Sequence, residues 1–216
     1  VYLDPRPQTA ERLLESMESV ELPGTMRFIA RSVRGELELT RGNVRTAALI
    51  QRVSLRYAGN WRSILGSGSQ WELYILSMCL VTDVELSPDD AVELDARAVR
   101  ARATSLLREI LSDPAPRQRD IPTLMAFAAA VGLSAVAAED MGSDRRAVGG
   151  ELVVTALAVG TNQTCRLLSH DYLRSRTERL DARALAQAEE RIRSLDRGGL
   201  VAHAADLAGR LAGEVG

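Results

Sequence analysis

The side chains with catalytic or metal-binding chemistry are few and poorly placed for it. Ser169, His170 and Asp171 have the residue types of a hydrolase triad, but they are consecutive, whereas triad residues meet in space. Asp89 and Asp90 could suggest a metal pair, but they follow a Ser-Pro pair, and acids there complement the dipole at a helix start. Two cysteines and two histidines do not make a zinc site at these spacings. We therefore expect no catalytic residue, no metal and no cofactor.

An arginine and a histidine close together on the chain are the strongest catalytic candidate. The segment Arg166-Leu-Leu-Ser-His170 is similar to the Arg–His pair of HEPN-type ribonucleases. The signature of that family needs a longer spacing than the three residues that separate the pair here. The same segment is equally typical of an exposed helical turn. A stand-alone helical nuclease that uses Arg166 and His170 is therefore the alternative hypothesis, and a dimeric structural scaffold is a further one.

A second group of residues could bind a partner. Arg27, Arg31 and Arg34 lie on one predicted helix, and Trp71 and Tyr74 lie on another. Helical arrays bind proteins and peptides on a concave face, so these five residues form our candidate interaction groove. The alternative is that the rings fill the core, and the low aromatic content of 4% favours it.

The rest of the chain is organised around one predicted element, a helical hairpin of the tetratricopeptide kind from Thr25 to Tyr57. Apolar residues recur every three to four positions on both sides of Gly42 and Asn43. Gly42 can adopt the left-handed backbone that closes a helix, and Asn43 can cap the next one.

Further helices are predicted along the chain. Their approximate ranges are 10–20, capped by Thr9, then 70–81, 88–111, 122–140, 145–158, 182–195, capped by Asp181, and 200–211. The range 122–140 is almost entirely apolar and rich in alanine, which favours a helix buried between neighbours over a membrane span. The hairpin recurs at a shift of one hundred positions, where three pairs align: Gly42 with Gly142, Asn43 with Ser143, and Ala47 with Ala147.

We therefore predict an all-α fold, in which about ten helices form antiparallel hairpins that stack as a tetratricopeptide-like superhelical array. The domain prediction is a single helical-repeat domain over 1–216, with sub-arrays over 9–111 and 121–213. The Ala47 and Ala147 positions are expected to face neighbouring helices, because paired alanines let helices approach closely.

Composition excludes several functions. The 27 basic residues are all arginine, so there is no phosphate-loop lysine and no Schiff-base lysine. The net charge is −2 and the arginines are interleaved with acids, which is typical of ion pairs on helix faces rather than of a nucleic-acid surface. Cys79 and Cys165 lie in apolar runs, which favours buried free thiols in a reducing cytoplasm. We expect neither direct nucleic-acid binding nor a membrane segment.

The chain resembles the C-terminal tetratricopeptide-type region of actinobacterial SARP/BTAD transcriptional activators and their STAND-type relatives. The resemblance is strongest over Asp120–Leu211. It is carried by DIPTLMAFAAAVGLSAVAAEDMGSDRRAVGGELVVTALAVG, by LDARALAQAEERIRSL and by LVAHAADLAGRL. RGELELTRGNVRTAALI resembles an earlier repeat.

This resemblance implies a non-enzymatic regulatory or sensory module that controls an attached transcriptional activator. In that family the DNA-binding and nucleotide-binding domains lie upstream, and the repeats restrain them. The implied partner is another protein or other domains of the same parent chain, or else a small-molecule or peptide ligand.

Overall fold

The computed structural model describes residues 7–18, 24–58, 68–86, 96–113, 120–161 and 165–213, and these ranges are helical without a strand. Their ten α-helices are α1 (Pro7–Glu18), α2 (Gly24–Thr40), α3 (Val44–Ala58), α4 (Gly68–Glu85), α5 (Ala96–Ser112), α6 (Ile121–Ala137), α7 (Ser143–Val159), α8 (His170–Ser175), α9 (Ala182–Ile192) and α10 (Arg197–Ala212). Short 3₁₀ segments at Arg166–Leu168 and Arg176–Arg179 flank α8. The all-α prediction is confirmed.

Helices α2 and α3 form the hairpin that the sequence predicts. Gly42 has a φ of +83°, a left-handed conformation that glycine adopts without a steric penalty. The N–H of Asn43 donates to the carbonyl of Glu38 at 2.9 Å, and the N–H of Gly42 donates to that of Leu39 at 3.1 Å. These two bonds are the Schellman motif that ends a helix. The Asn43 side chain also donates to the Glu38 carboxylate at 2.8 Å, so Asn43 helps to close α2.

Helix α6 is the buried centre of the fold. All of its residues from 124 to 135 are buried. Asp120 accepts a hydrogen bond from the N–H of Thr123 at 3.3 Å, and Pro122 lies in the first turn, where its missing N–H costs nothing. The prediction of a helix buried between neighbours is confirmed. Of the helices that the structure describes, none has the length and apolarity needed to cross a membrane.

Two glycines let α6 and α7 approach each other closely. A Cβ atom at Gly132 would lie 2.5 Å from the carbonyl oxygen of Gly149. A Cβ atom at Gly149 would lie 2.8 Å from the Cβ atom of Ala135. Both distances are shorter than van der Waals contact allows, so the crossing requires glycine at both positions. The sequence indicates close packing through alanines, whereas this crossing is made through glycines.

The repeat alignment at a shift of one hundred positions is wrong at the corner between the helices. Gly42 ends α2 with a positive φ, whereas Gly142 precedes α7 with a φ of −64° and occupies its N-cap position. Ala47 has no exposed surface, but Ala147 is exposed. The two hairpins therefore share a plan without sharing equivalent positions, and the expectation that Ala147 lies at a helix–helix contact is wrong.

Packing is not confined to neighbours along the chain. Helix α4 contacts α3, α5 and α6, and α10 returns to contact both α5 and α7. The main core includes buried side chains from Leu39 to Leu211, so it runs through both predicted sub-arrays. In a simple solenoid each repeat contacts only its neighbours. The return of α10 to α5 departs from that pattern, and the superhelical array stays a prediction.

Helix ends agree with the sequence where a local cap determines them. Asp181 caps α9 by accepting from the N–H of Ala184 at 2.9 Å, as predicted. Thr9 lies inside α1 rather than before it, because α1 begins at Pro7. The predicted start of the helix over 88–111 lies outside the described residues.

The two cysteines are free and buried, as predicted. Burial raises the pKa of the Cys79 thiol to about 12, and the nearby Asp83 carboxylate adds to the shift. The thiolate, which is the nucleophilic form, is therefore disfavoured at Cys79.

Candidate functional site

The residues of the predicted groove divide between surface and core. Arg31 and Arg34 are half-buried on α2, and the side chain of Arg27 lies outside the described part of the chain. Trp71 is 42% exposed, whereas Tyr74 is 6% exposed. The two rings meet edge to face with their centroids 6.1 Å apart. A partner on this face would therefore reach Trp71 first, and the groove stays a prediction.

Tyr74 lies in the core because its hydroxyl group has buried partners. It donates a hydrogen bond to Glu36 on α2 and lies 3.5 Å from the sulfur of Cys165. The Cys165 thiol donates to the same Glu36 oxygen at 3.2 Å. Three side chains that are distant in sequence thus satisfy one another inside the protein. The core interpretation is confirmed for this residue.

The nuclease candidate His170 is the first residue of α8. Its Nδ1 atom lies 3.1 Å from the hydroxyl oxygen of Thr161. Ser169 caps the helix by accepting from the N–H of Tyr172 at 3.3 Å. The side chain of Arg166 lies outside the described residues. These contacts are those of a helix start, and the nuclease hypothesis stays a prediction.

Charged side chains bind one another between the helices, and the two arginines of these pairs are buried. Arg52 on α3 pairs with Asp83 on α4, and Arg100 on α5 binds Asp140 after α6 at 2.9 Å. The second pair lines a cleft of about 370 Å³ between α4, α5 and α6, so an ionic ligand there would have to displace it. In the described ranges, no three His, Cys, Asp or Glu side chains are grouped so that they could hold a metal ion.

The best candidate for a functional site is an apolar pocket between α6, α7 and the start of α9, which we call the α7–α9 pocket. Its volume is about 330 Å³. This lies at the lower end of the range for small-molecule sites, about 300–1,000 Å³. Its apolar lining comes from three separate parts of the chain: Val136, Ala147, Gly150, Leu180, Ala184 and Leu185.

One wall of the α7–α9 pocket is attached to the protein by a small core of its own. Helix α9 buries only Ala188 and Ile192. These residues pack with Val154 and Leu200 in a cluster separate from the main core, which we call the α9 core. Leu180 and Leu185 pack against the α9 core and also line the pocket. Leu180 and Leu185 would therefore contact a bound ligand and also hold α9 to the protein.

A buried carboxylate in the pocket lining provides the polar attachment of α9. Glu151 on α7 accepts two hydrogen bonds from Arg191 on α9, at 2.8 and 2.7 Å. His203 on α10 lies 2.9 Å from the same carboxylate through its Nε2 atom. We call this group of three side chains the Glu151 clamp. Bidentate pairing of arginine with a carboxylate is among the stronger polar contacts in proteins, so the clamp ties three helices together.

The Glu151 clamp predicts a pH-dependent stability. Burial alone would raise the pKa of Glu151, but the hydrogen bonds from Arg191 and His203 outweigh it and lower the pKa below its ordinary 4.5. Because the pKa of Glu151 is lowered in the folded protein, its charged carboxylate stabilises the folded state at pH values above the ordinary pKa of 4.5. This stabilisation is lost as the pH falls through the lowered pKa of the folded state. We expect Glu151→Gln to cost about 2 kcal/mol of unfolding free energy at pH 7 and clearly less at pH 3.5.

Urea denaturation at the two pH values measures this difference. The control is Glu190→Gln, since Glu190 is exposed and pairs only with the exposed Arg193 among the described residues. It should change stability by no more than about 0.5 kcal/mol at either pH. An equal cost of Glu151→Gln at both pH values would contradict the role of the charged clamp.

Arg146 is the one cationic residue of the described lining. Asp181 caps α9, and Glu151 is held in the clamp. Arg146 is exposed at the mouth of the pocket and has no hydrogen-bond or ion-pair partner among the described residues. Sequence reasoning missed this site, because the lining residues come from α6, α7 and α9 and share no spacing. The one local signal was the Arg145-Arg146 pair in the first turn of α7, where acids rather than bases are favoured.

Comparisons with known proteins assign neither a family nor a function to the chain. Neither a protein-family model, nor a curated protein sequence, nor a solved structure matches the chain. The functional interpretation therefore depends on the packing of the helices, on the α7–α9 pocket and on the sequence resemblance described above.

Proposed function

We propose that the chain is a non-enzymatic helical-repeat regulatory module, which binds a ligand or a protein partner and controls an attached transcriptional activator in the cytoplasm. The observation that carries the proposal is the α7–α9 pocket, an open apolar space with a wall that has its own small core. In the described lining there is neither histidine nor cysteine, which suits binding better than catalysis.

The mechanism would operate through α9. A ligand in the pocket touches α7 on one side, and Leu180 and Leu185 on the other, so it adds apolar contacts to the α9 core. Helix α10 begins shortly after α9 and packs against α5 and α7, so a shift of α9 reaches the main body through α10. A ligand shifts an equilibrium only if it binds two states differently, and here the difference would arise from the position of α9.

The wider architecture of the proposal is a tetratricopeptide-like array. The α2–α3 and α6–α7 hairpins support it, because each joins two antiparallel helices through a short corner. The attached activator is supported by the resemblance over Asp120–Leu211 to SARP/BTAD regulators. Helices α6 to α10, which include the pocket, lie in this part of the chain.

A reporter assay in the parent activator tests the proposal. We expect Arg191→Ala to change reporter output several-fold, because it opens the Glu151 clamp and frees α9. The matched control is Arg193→Ala, two positions further on, where the side chain is 71% exposed and pairs with Glu190. If Arg191→Ala behaves like wild type while the protein remains folded, α9 does not control the activator.

An RNA-cleavage assay compares the proposal with the nuclease hypothesis. We expect the wild-type protein and a His170→Ala variant to cleave RNA at the same background rate. Cleavage above background that His170→Ala abolishes would favour the enzyme and contradict the proposal.

A further inference from the structure

We propose that the α7–α9 pocket binds a small apolar monocarboxylate, with its chain against Leu180, Leu185 and Val136 and its carboxylate paired with Arg146. This assignment rests on the proposed sensory function and names the chemical class of the ligand. The apolar part follows from the described lining, in which six of ten residues are apolar or glycine. The volume of about 330 Å³ suits a ligand of about ten non-hydrogen atoms.

The charge of the ligand follows from which lining groups are already engaged. Glu151 is buried and accepts from Arg191 and His203. Asp181 accepts from the N–H of Ala184 at the start of α9. Arg146, by contrast, has no partner among the described residues. A guanidinium group at the mouth of an apolar pocket pairs well with a carboxylate, because it can donate two parallel hydrogen bonds.

The lining also explains why the ligand is small. A Cβ atom at Gly150 would lie 3.4 Å from a methyl group of Leu180, in ordinary contact, so a side chain there would fill part of the space between α7 and Leu180. Ala147 and Ala184 keep the two facing walls short. A larger side chain at any of these positions would occupy the space that the ligand chain needs.

Titration calorimetry with octanoate, octanol, octylamine and hexanoate tests the assignment. We expect octanoate to bind best and hexanoate to bind about tenfold more weakly, because two methylene groups leave the pocket. Octanol should bind about fivefold more weakly than octanoate, as expected for the loss of an exposed ion pair. If octylamine bound better than octanoate, the assignment would be overturned, because the charged end of the ligand would then pair with Asp181 or Glu151.

Two variants separate charge recognition from filling of the pocket. Arg146→Gln should weaken octanoate about fivefold and leave octanol unchanged. Ala147→Leu should abolish binding of both, whereas Ala158→Leu, at an exposed position of the same helix outside the lining, should bind like wild type. Equal loss of octanoate and octanol in Arg146→Gln, or octanoate binding that survives Ala147→Leu, would overturn the proposal. No binding of octanoate to the folded wild type would also overturn it.

The ligand class and the proposed function can fail independently. Calorimetry reports binding without reference to transcription, whereas the Arg191→Ala reporter assay needs no ligand. Octanoate binding with an unresponsive reporter would leave the ligand class standing and reject the regulatory function. A responsive reporter without octanoate binding would reject only the ligand class.

Discussion

The Ala47→Arg variant is expected to lose about 4 kcal/mol of unfolding free energy, or to fail to fold. Ala47 is fully buried in the main core on α3. An arginine there would bring an unpaired charge into apolar surroundings and displace packed side chains, which combines two of the most destabilising effects known for single substitutions.

The matched control is Ala147→Arg. Alanine and arginine have similar helix propensities, and Ala147 is exposed on α7, so a guanidinium group there reaches water. Its stability should stay within about 0.5 kcal/mol of wild type. Urea denaturation followed by circular dichroism at the helical band measures both variants. Equal behaviour of the two would show that the helices do not pack as described, and would restore the equivalence that the sequence alignment predicts.

The Gly149→Ala variant is expected to lower the unfolding free energy by about 2 kcal/mol. Its new methyl group would lie 2.8 Å from the Cβ atom of Ala135 and 2.9 Å from the carbonyl oxygen of Gly132. Overpacking of this kind costs about 1–3 kcal/mol, and backbone atoms move less readily than side chains. The higher helix propensity of alanine offsets up to about 1 kcal/mol of this cost.

Gly150→Ala is the control for helix propensity, since it makes the same change at the next position of the same helix. The nearest atom to its new methyl group belongs to Leu180, at 3.4 Å, which is an ordinary contact. We therefore expect it to be neutral or to stabilise the protein by up to about 1 kcal/mol. Thermal melts of the two variants give the comparison. If Gly149→Ala were as stable as Gly150→Ala, the close crossing of α6 and α7 would be contradicted.

Local signals allowed much of the helical structure to be predicted. Gly42 and Asn43 mark a corner because a left-handed residue and the bonds that accompany it are determined within one turn. Asp181 marks the start of α9 for the same reason, since its carboxylate needs only the N–H of a residue three positions away. The buried α6 was predictable because nearly every residue in it is apolar.

Features that depend on distant residues could not be predicted. Gly42 ends a helix and Gly142 precedes one. Glycine is common at both helix ends, so the residue type alone did not show which end of a helix lies at residue 142. The burial of Tyr74 was favoured by the scarcity of aromatic rings, but its partners Glu36 and Cys165 lie far away in sequence and could not be predicted. Neither relation has a signature in local spacing.

The candidate pocket was missed for the same reason. Its walls come from α6, α7 and the start of α9, and the return of α10 depends on contacts with α5 that span half the chain. The predicted groove used arginines and aromatics on α2 and α4, because these stand out in a chain poor in rings. The open pocket is instead lined by small apolar residues, which are common throughout the sequence and therefore carry no signal.

Native-state hydrogen exchange shows whether α9 is a separately attached wall of the ligand pocket. Exchange of backbone amides in α9 is compared with exchange in the buried stretch of α6. We predict that α9 opens locally, with a free energy at least about 2 kcal/mol below that of α6, because it has only a small core and the Glu151 clamp to hold it. If both helices exchanged with the same free energy, through unfolding of the whole protein, α9 would not be a separately attached wall.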